Sequence, residues 1–293
     1  MYWRQKALLH MLLVAARPVS RLELMKWAFL LSRETPSGGG SAFYDFVPYH
    51  YGPFSFGLYQ EVSKLVDAGL VQEPTPQTWT ASPGVLECTR DLPAPLRQDA
   101  ARTVQRLGGA PLRDVIDYVY EKYPWFTINS RRRQLPRPAA IAAVYTLGYE
   151  GVSVDAFLNT LVWSGLTAII DVRHSALSRR YGFHGRTLSG LCGRLGIAYT
   201  HLPELGVPPS TRQSWRQAAD LSELMDAYEE RVEARQNAAV QAATALMAEH
   251  PSALVCMEAE PGRCHRSRLA RLIARRSGLE VQHLRIERCS QAA

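Results

Sequence analysis

Residues 256–272 read CMEAEPGRCHRSRLARL, and this stretch decides the fold of the second half of the chain. Apolar residues precede it, a Pro-Gly pair interrupts it, and leucines then recur at helical spacing. The pattern predicts a buried strand, a turn and an amphipathic helix. Cys264, His265 and Arg266 would therefore lie at the first turn of that helix. Unpaired backbone N–H groups at such a turn favour anions and lower the pKa of a thiol.

The alternation of strand and helix patterns extends outward from this stretch over residues 144–286. Short apolar runs predict the strands, and amphipathic patterns between them predict the helices. The predicted strands lie within 144–151, 167–173, 198–206, 252–260 and 281–286, and the predicted helices within 153–164, 188–195, 217–249 and 264–273. This order predicts a Rossmann-like α/β domain over residues 144–293, with a parallel sheet and helices on both faces.

Polar residues gather where the predicted strands end. Sites in parallel sheets form at the carboxyl ends of the strands, so we expect one anion-binding pocket there. Carboxylates would transfer protons in it, and arginines would hold phosphate. The expected catalytic residues are Asp171, Glu258, Cys264 and His265. The expected substrate-binding residues are Tyr149, Glu150, Arg173, Arg179, His201 and Arg266. Cys264 would be a nucleophile or only fill the turn, and Arg266 would bind an anion or pair with Asp171 or Glu258.

Several known reaction types lack their sequence pattern. Six positions after Cys256 and Cys264 stand Gly262 and Ala270, so neither cysteine has the C-x5-R loop of rhodaneses and cysteine phosphatases. The spacing Cys-x7-Cys-His lacks the paired short spacings of zinc sites, so we expect no metal and no cofactor. The sequence also has no phosphate-loop, dinucleotide-binding or nucleophile-elbow motif.

Three ordered motifs in the second half resemble a known family. They read YTLGYEG, IIDVRHSALSRRYGFHGRTLSGLCGRLGIAYTHLPELGVP and VCMEAEPGRCHRSRLARLI. On these motifs, residues 144–290 resemble the bacterial and archaeal domain-of-unknown-function family 488. The resemblance implies the fold and the location of the site, with no reaction attached. His174 and Ala176 stand where the family has a second basic residue and a proline, so these two positions receive no role.

Residues 1–130 have a different pattern, with helical periodicity predominating. Helices are predicted over 4–16, after the capping box formed by Ser20 and Glu23, over 54–68, and twice within 96–123. The stretch GLVQEPTPQTWTAS predicts a two-stranded ribbon. Three helices followed by a ribbon predict a winged-helix-like domain. The stretches YHYGPFSFGLYQEVSKLVDAGLV and DVIDYVYEKYPWFTINS also resemble bacterial winged-helix-like modules of regulators and antitoxin-type proteins.

Two interpretations of this first domain remain open. Helix 54–68 either enters a DNA groove, with Lys64 contacting phosphate, or belongs to a protein-interaction or dimerisation module. Residues 131–143 are predicted to be a basic linker because arginines and prolines replace apolar periodicity. Within it, Arg131, Arg132 and Arg133 form either a solvated hinge or a strap onto nucleic acid.

Charge and composition narrow the class of protein. The net charge is +7, and residues 1–140 carry 17 Lys and Arg against 12 Asp and Glu, which suits nucleic acid as a partner. The five cysteines are odd in number and scattered, which is unlike a disulfide framework. No apolar run reaches the length of a membrane span. We therefore expect a cytoplasmic protein of a reducing compartment that does not enter membranes.

Together these features favour a nucleic-acid-directed enzyme, a hydrolase or transferase, whose first domain docks the substrate. DNA is favoured over RNA, and a homodimer is compatible with the pattern. The competing interpretation is a non-catalytic regulator or interaction protein that senses a nucleotide-like ligand. The sequence does not select a reaction.

Overall fold

The structure is a computed structural model that describes residues 1–133, 135–211 and 221–286. The chain forms two compact units, Met1–Pro136 and Arg137–Arg288. Apolar side chains form a core in each of them. Within the described ranges, no helix is long and apolar enough to cross a membrane.

The first unit is mainly helical. Its helices are α1 (Trp3–Ala15), α2 (Arg21–Glu34), α3 (Phe56–Asp67), α4 (Leu86–Thr89), α5 (Ala94–Leu107) and α6 (Leu112–Lys122), followed by a 3-10 turn at Pro124–Thr127. The predicted capping box is confirmed, because Ser20 Oγ accepts from the Glu23 backbone N at 3.1 Å and Glu23 Oε2 accepts from the Ser20 backbone N at 3.1 Å. This pair fixes the start of α2, whose Trp27 and Phe29 are fully buried in the core.

Short antiparallel strands complete the first unit. They are β1 (Val19–Ser20), β2 (Val47–Tyr49), β3 (Gly52–Phe54), β4 (Val71–Thr75) and β5 (Thr78–Ala81). The predicted ribbon is confirmed as the β4–β5 pair, and β1 extends it to a sheet of order β1-β5-β4. The β2–β3 hairpin was not predicted. Its Gly52 has a φ of +89°, and a Cβ there would lie 2.9 Å from the Tyr120 ring, so glycine suits both the turn and the packing.

The second unit is a parallel sheet with helices. Its strands are β6 (Val144–Gly148), β7 (Ala168–Asp171), β8 (Ala198–His201), β9 (Ser252–Cys256) and β10 (Val281–His283). Its helices are α7 (Val154–Trp163), α8 (Gly185–Arg194), α9 (Ser222–Arg235), α10 (Asn237–Glu249) and α11 (Arg266–Ser277), with 3-10 turns at Pro203–Leu205 and Pro261–Arg263. The strand order is β10-β6-β9-β7-β8, and each neighbouring pair is parallel. The predicted α/β class with a parallel sheet is confirmed.

One predicted helix of this unit differs from the structure. The sequence predicts a single helical region over 217–249, of which 217–220 lie outside the described residues. The remainder is two helices, α9 and α10, which meet at Gln236. Periodicity alone does not locate such a break, because Gln236 is neither a glycine nor a proline.

The strand register brings the carboxyl ends of the central strands to one level. Gly148 of β6 is paired with Cys256 of β9, and Asp171 of β7 is paired with Val255 of β9 and His201 of β8. The segments that leave these strands therefore begin side by side at one edge of the sheet.

Candidate functional site

Four donor side chains meet beyond the end of β9. The Sγ atoms of Cys256 and Cys264 both lie within hydrogen-bond distance of Glu258 Oε2, at 3.1 and 3.2 Å. His265 Nδ1 lies 4.0 Å from Cys256 Sγ and 3.9 Å from Cys264 Sγ. We call Cys256, Glu258, Cys264 and His265 the donor cluster. Three of the four expected catalytic residues belong to it.

The chain forms the donor cluster by folding back on itself. Cys256 ends β9, the 3-10 turn at Pro261–Arg263 reverses the chain, and Cys264 and His265 directly precede α11. The two thiols and the imidazole are buried, whereas Glu258 is partly exposed. Solvent therefore reaches the cluster from the side of the carboxylate.

A backbone carbonyl sets the tautomer of His265. Its Nε2 lies 3.1 Å from the carbonyl oxygen of Val172, which follows β7. Because a carbonyl oxygen only accepts hydrogen bonds, Nε2 carries a proton. Nδ1 then faces the two sulfur atoms. The contact also ties the cluster to the end of β7.

Burial and mutual contacts shift the pKa values of the donor cluster. The hydrogen bond with Cys264, and then burial, raise the pKa of Cys256. Burial also acts to raise the pKa of Cys264, but the hydrogen bond from Cys256 and the charge of His265 lower it well below its ordinary value. Burial raises the pKa of the Glu258 carboxyl. The cluster therefore favours one negative charge on Cys264 over charges on all its acidic members.

One comparison with known proteins found a match within the second unit. Residues 153–273 match the model of a family described as "Domain of unknown function DUF488". The second unit contains a DUF488 domain. The match covers the whole donor cluster, while Tyr149 and Glu150 precede it. No curated protein matches the chain, and no solved structure matches it either.

The loop that carries Glu258 is clamped through its backbone in this DUF488 domain. The backbone N atoms of Tyr149 and Glu150 donate to the Met257 carbonyl at 3.1 and 2.8 Å. Glu150 Oε2 accepts from the Ala259 backbone N at 3.1 Å. Glu150, an expected substrate-binding residue, therefore positions the loop with its side chain.

Arg266 completes this clamp from the first turn of α11. Its two Nη atoms donate to the carbonyls of Glu258 and Ala259, the latter at 2.9 Å, and the residue is fully buried. The expected pairing of Arg266 with the carboxylate of Asp171 or Glu258 is therefore wrong. The guanidinium satisfies backbone oxygens because the loop passes directly over it. Gly148 lies below the same loop, where a Cβ would be 1.9 Å from the Glu258 carbonyl oxygen.

Asp171 and Arg173 form a buried ion pair beside the donor cluster. Arg173 Nε donates to Asp171 Oδ1 at 2.8 Å, and Tyr199 Oη donates to Asp171 Oδ2 at 2.7 Å. Arg173 Nη1 donates to Tyr149 Oη at 2.7 Å and to the Phe183 carbonyl at 2.8 Å. Both members are buried, at 0% and 3% exposure. Asp171, expected to be catalytic, therefore accepts hydrogen bonds from within the protein.

The other expected residues of this edge have different surroundings. His201 is half-buried, and its Nε2 lies 2.8 Å from the Arg173 carbonyl oxygen, so it packs against the ion pair rather than in the donor cluster. Arg179 is exposed in the segment between β7 and α8. Its neighbour Arg180 donates to the Tyr149 carbonyl at 3.3 Å.

An arginine-lined cleft adjoins the start of α11. Its volume is about 350 Å³. The lining residues are Leu221, Ser222, Met225, Gly262, Arg263, Ser267, Arg268 and Arg271. Gly262, Arg263 and Ser267 flank Cys264 and His265 in the chain, so the cleft lies beside the donor cluster. Arg268 is ion-paired with Asp226 at 2.7 Å.

The expected nucleic-acid-binding residues all lie on the surface of the first unit. Lys64, on α3, and Arg131, Arg132 and Arg133, beyond the last 3-10 turn, are exposed. The Arg131 backbone N donates to the His50 carbonyl at 2.9 Å, and Arg132 pairs with Asp117 at 3.0 Å. The start of the basic segment is therefore attached to its own unit.

Sequence reasoning missed two residues of this edge. It assigned Cys256 to the core and gave Tyr199 no role. The signal for Cys256 was its place two residues before Glu258 at the end of a predicted strand. The signal for Tyr199 was its place on the strand next to Asp171, because a buried tyrosine hydroxyl needs a hydrogen-bond partner.

Proposed function

We propose that the protein is a nucleic-acid-directed hydrolase in which the DUF488 domain carries the reaction and the first unit contacts the nucleic acid. One observation carries the proposal. Glu258, the partly exposed member of the donor cluster, directs one oxygen at both buried thiols, beside an arginine-lined cleft. A carboxylate so placed is able to move a proton between solvent and a buried reacting centre.

Each part of this edge has a role in the proposed reaction. A water molecule attacks the electrophilic atom of the substrate, and Glu258 accepts the proton of that water and returns it to the leaving group. The hydroxyl group and the proton of the water are thus added to the two sides of the bond that breaks. The Asp171–Arg173 pair, Glu150 and Arg266 position the two strand ends and the Glu258 loop through their hydrogen bonds within the protein.

The chemistry of the neighbouring cleft favours a phosphate-bearing substrate. Arg263 and Arg271 are exposed, and neither forms an ion pair with the residues that the structure describes. The cleft also borders the N-terminal end of α11, where backbone N–H groups attract anions. Nucleotides and nucleic acids supply phosphate close to a hydrolysable base or ester.

The fold of the first unit supports the assignment of a winged-helix-like substrate-docking role. Its three-stranded sheet has the order β1-β5-β4, with α1 before β1 and with α2 and α3 between β1 and the β4–β5 ribbon. The exposed Lys64 on α3 and the exposed Arg133 provide cations for phosphate. These contacts would be independent of base sequence and sensitive to salt.

The test of the reaction compares two substitutions of the same kind in one loop. Glu258→Gln removes the proposed proton acceptor, whereas Glu260→Gln changes an exposed carboxylate two residues away. The full chain is incubated with single- and double-stranded DNA, RNA and mixed nucleotides, and the products are analysed by mass spectrometry. We expect hydrolysis products from the wild type and from Glu260→Gln, and a loss of roughly 100-fold or more in Glu258→Gln.

Two results would overturn this proposal. Binding of nucleic acid or nucleotides by the wild type without any product would identify a non-catalytic regulator. Equal rates for Glu258→Gln and the wild type would remove the carboxylate from the reaction.

A separate measurement tests the docking role. Lys64→Gln and Arg133→Gln in the full chain should weaken binding of all DNA sequences to a similar extent. Each lost phosphate contact should reduce the slope of log affinity against log salt by about 1. An unchanged slope in the double variant would instead favour the protein-interaction interpretation of this unit.

A further inference from the structure

We infer that the DUF488 domain binds a zinc ion through Cys256 Sγ, Cys264 Sγ and His265 Nδ1, with Glu258 beside the fourth coordination position. The three ligand atoms lie within 4.8 Å of one another. The binding of the ion stands on these residues alone. Its use in hydrolysis rests on the proposed function.

The distances within the donor cluster suit tetrahedral coordination. Zinc binds sulfur at about 2.3 Å and imidazole nitrogen at about 2.0 Å, which places neighbouring ligand atoms about 3.5–3.8 Å apart. The distances from Nδ1 to the two sulfur atoms are 3.9 and 4.0 Å, and those from Glu258 Oε2 to the sulfur atoms are 3.1 and 3.2 Å. Because the three ligand atoms already lie within 4.8 Å of one another, shifts of about 1 Å or less bring them into coordination.

The contact of His265 with Val172 is the second observation that points to a metal. A metal-binding histidine commonly donates its other ring N–H to a carbonyl or carboxylate, which fixes the ring and aims the free lone pair at the ion. His265 Nε2 has this partner at 3.1 Å, so Nδ1 is the ring nitrogen that faces the sulfur atoms. The ring also lies against Tyr228, with 5.1 Å between ring centroids.

The ligand set favours zinc over harder cations. Two thiolates and an imidazole are soft and borderline ligands, which suit zinc and do not suit magnesium or calcium. Both cysteines bind the ion as thiolates and His265 binds through its neutral ring, so the displaced protons of the donor cluster leave to solvent when the ion binds. Glu258 is then released to face the fourth position.

The position of Glu258 makes this site resemble catalytic rather than structural zinc sites. Structural sites close four ligands around the ion, whereas catalytic sites keep three protein ligands and a water molecule. In zinc deaminases acting on nucleobases, a His/Cys/Cys-bound zinc activates the water, and a glutamate that is not a ligand transfers the proton. The donor cluster offers the same three ligand types and a partly exposed glutamate. The water of the proposed hydrolysis would be the one bound to zinc.

The first test measures metal in the protein as purified under reducing conditions. We expect about one zinc per chain in the wild type, by elemental analysis. Cys256→Ser, Cys264→Ser and His265→Asn should each lose most of it. Cys88→Ser is the matched control, because Cys88 is a free cysteine of the first unit, and it should retain the wild-type content. Variants that keep wild-type zinc would overturn the inference.

The second test does not depend on folding of the variants. Cobalt added to the chelator-treated wild type should give the thiolate charge-transfer band and the visible bands of tetrahedral coordination. A spectrum of octahedral cobalt without the thiolate band would overturn the inference.

Glu258→Gln separates the metal from the reaction. We expect this variant to bind zinc at the wild-type level and to lose hydrolysis. Zinc bound by a wild type that hydrolyses nothing would end the proposed function and leave the metal site standing. Hydrolysis that continues in metal-free protein would leave the proposed function standing and show that the zinc takes no part in the reaction.

Discussion

Each unit of the chain buries a cation, and the two cations are accommodated in different ways. Lys26 of α2 is 1% exposed, and its Nζ donates to the Pro53 carbonyl at 3.0 Å. Arg173 of the DUF488 domain is 3% exposed, and it is paired with Asp171 and bonded to two further oxygens. Burial lowers the pKa of Lys26 to about 7, whereas the hydrogen bond and charge of Asp171 overcome burial and raise the pKa of Arg173.

The difference follows from the chemistry of the two side chains. A lysine is able to lose its proton, so one carbonyl oxygen is enough to accommodate it in an apolar core. An arginine keeps its charge, so the fold must supply several acceptors, which for Arg173 include the counter-ion Asp171. Those acceptors come from Tyr149, directly after β6, from β7 and from the segment before α8, and the pair therefore fixes these segments against one another. The buried charge of Arg173 lies at the site edge of the second unit, whereas Lys26 is an isolated polar residue in the core of the first unit.

The largest expected effect comes from breaking the paired cation. Asp171→Leu leaves Arg173 charged and without its counter-ion, and should lower the free energy of unfolding by about 3–5 kcal/mol. The matched double variant Asp171→Leu/Arg173→Met removes both charges and should recover a large part of this loss. Hydrogen–deuterium exchange of the β7 amides at pH 7 locates the change in the second unit. Equal protection in the single and double variants would mean that the pair does not control this edge.

A smaller, pH-dependent effect should come from the unpaired cation. The pKa of Lys26 is about 7 in the folded protein against 10.5 for an ordinary lysine. The free-energy cost of burying the charged Lys26 amine is therefore complete below pH 7. This cost falls as pH rises towards 10.5, because the unfolded chain binds one more proton than the folded chain in that window. Lys26→Met should remove this cost. Its stabilising effect, from urea unfolding of the full chain, should decrease by about 2 kcal/mol between pH 7 and pH 9.

The control for this experiment is an exposed lysine of the same unit. Lys64→Met changes the same pair of residue types on the surface of α3. Its effect on stability should be small and nearly constant over the same pH range. A constant effect of Lys26→Met would show that the amine keeps its proton when buried.

The smallest effect concerns an acid of the first unit that does have partners. Burial opposes ionisation of Glu34, but hydrogen bonds from Lys122, Tyr118, Arg106 and Tyr123 lower its pKa to about 2. The contribution of Glu34 to the free energy of unfolding is complete above pH 4.5 and is lost as pH falls towards 2. In that range the carboxyl binds a proton in the unfolded chain before it does so in the folded chain. Glu34→Gln should cost about 1 kcal/mol at pH 7 and nothing near pH 2, since two of its partners are half-exposed cations. A loss that persists at pH 2 would indicate lost packing.

The sequence predicted those features that local patterns control. Apolar periodicity and the Pro-Gly break placed the strand before Glu258 and the helix after His265, and the capping box placed the start of α2. The β2–β3 hairpin was missed because its aromatic stretch has no alternation of apolar and polar residues. It depends instead on the close packing of Gly52 against Tyr120.

The arrangement of the site was only partly predictable, because it depends on contacts between distant segments. That Asp171 and Arg173 bond to each other, and to Tyr149 and Tyr199, follows from neighbouring strands that the chain order does not specify. The donor cluster as a whole was not predicted from the sequence for a similar reason. Seven residues lie between Cys256 and Cys264, and the 3-10 turn at Pro261–Arg263 brings their sulfur atoms to one carboxylate oxygen.

The clamp on the Glu258 loop has a consequence for how this domain diversifies. The contacts that hold the loop join backbone atoms of residues 257–259 to Tyr149, Glu150 and Arg266. Side chains at Met257, Ala259 and Glu260 take no part in them. Mutation can therefore exchange these three side chains, and with them the surface that a substrate meets, while the carboxylate of Glu258 keeps its place. Such a loop lets specificity evolve separately from the chemistry beneath it.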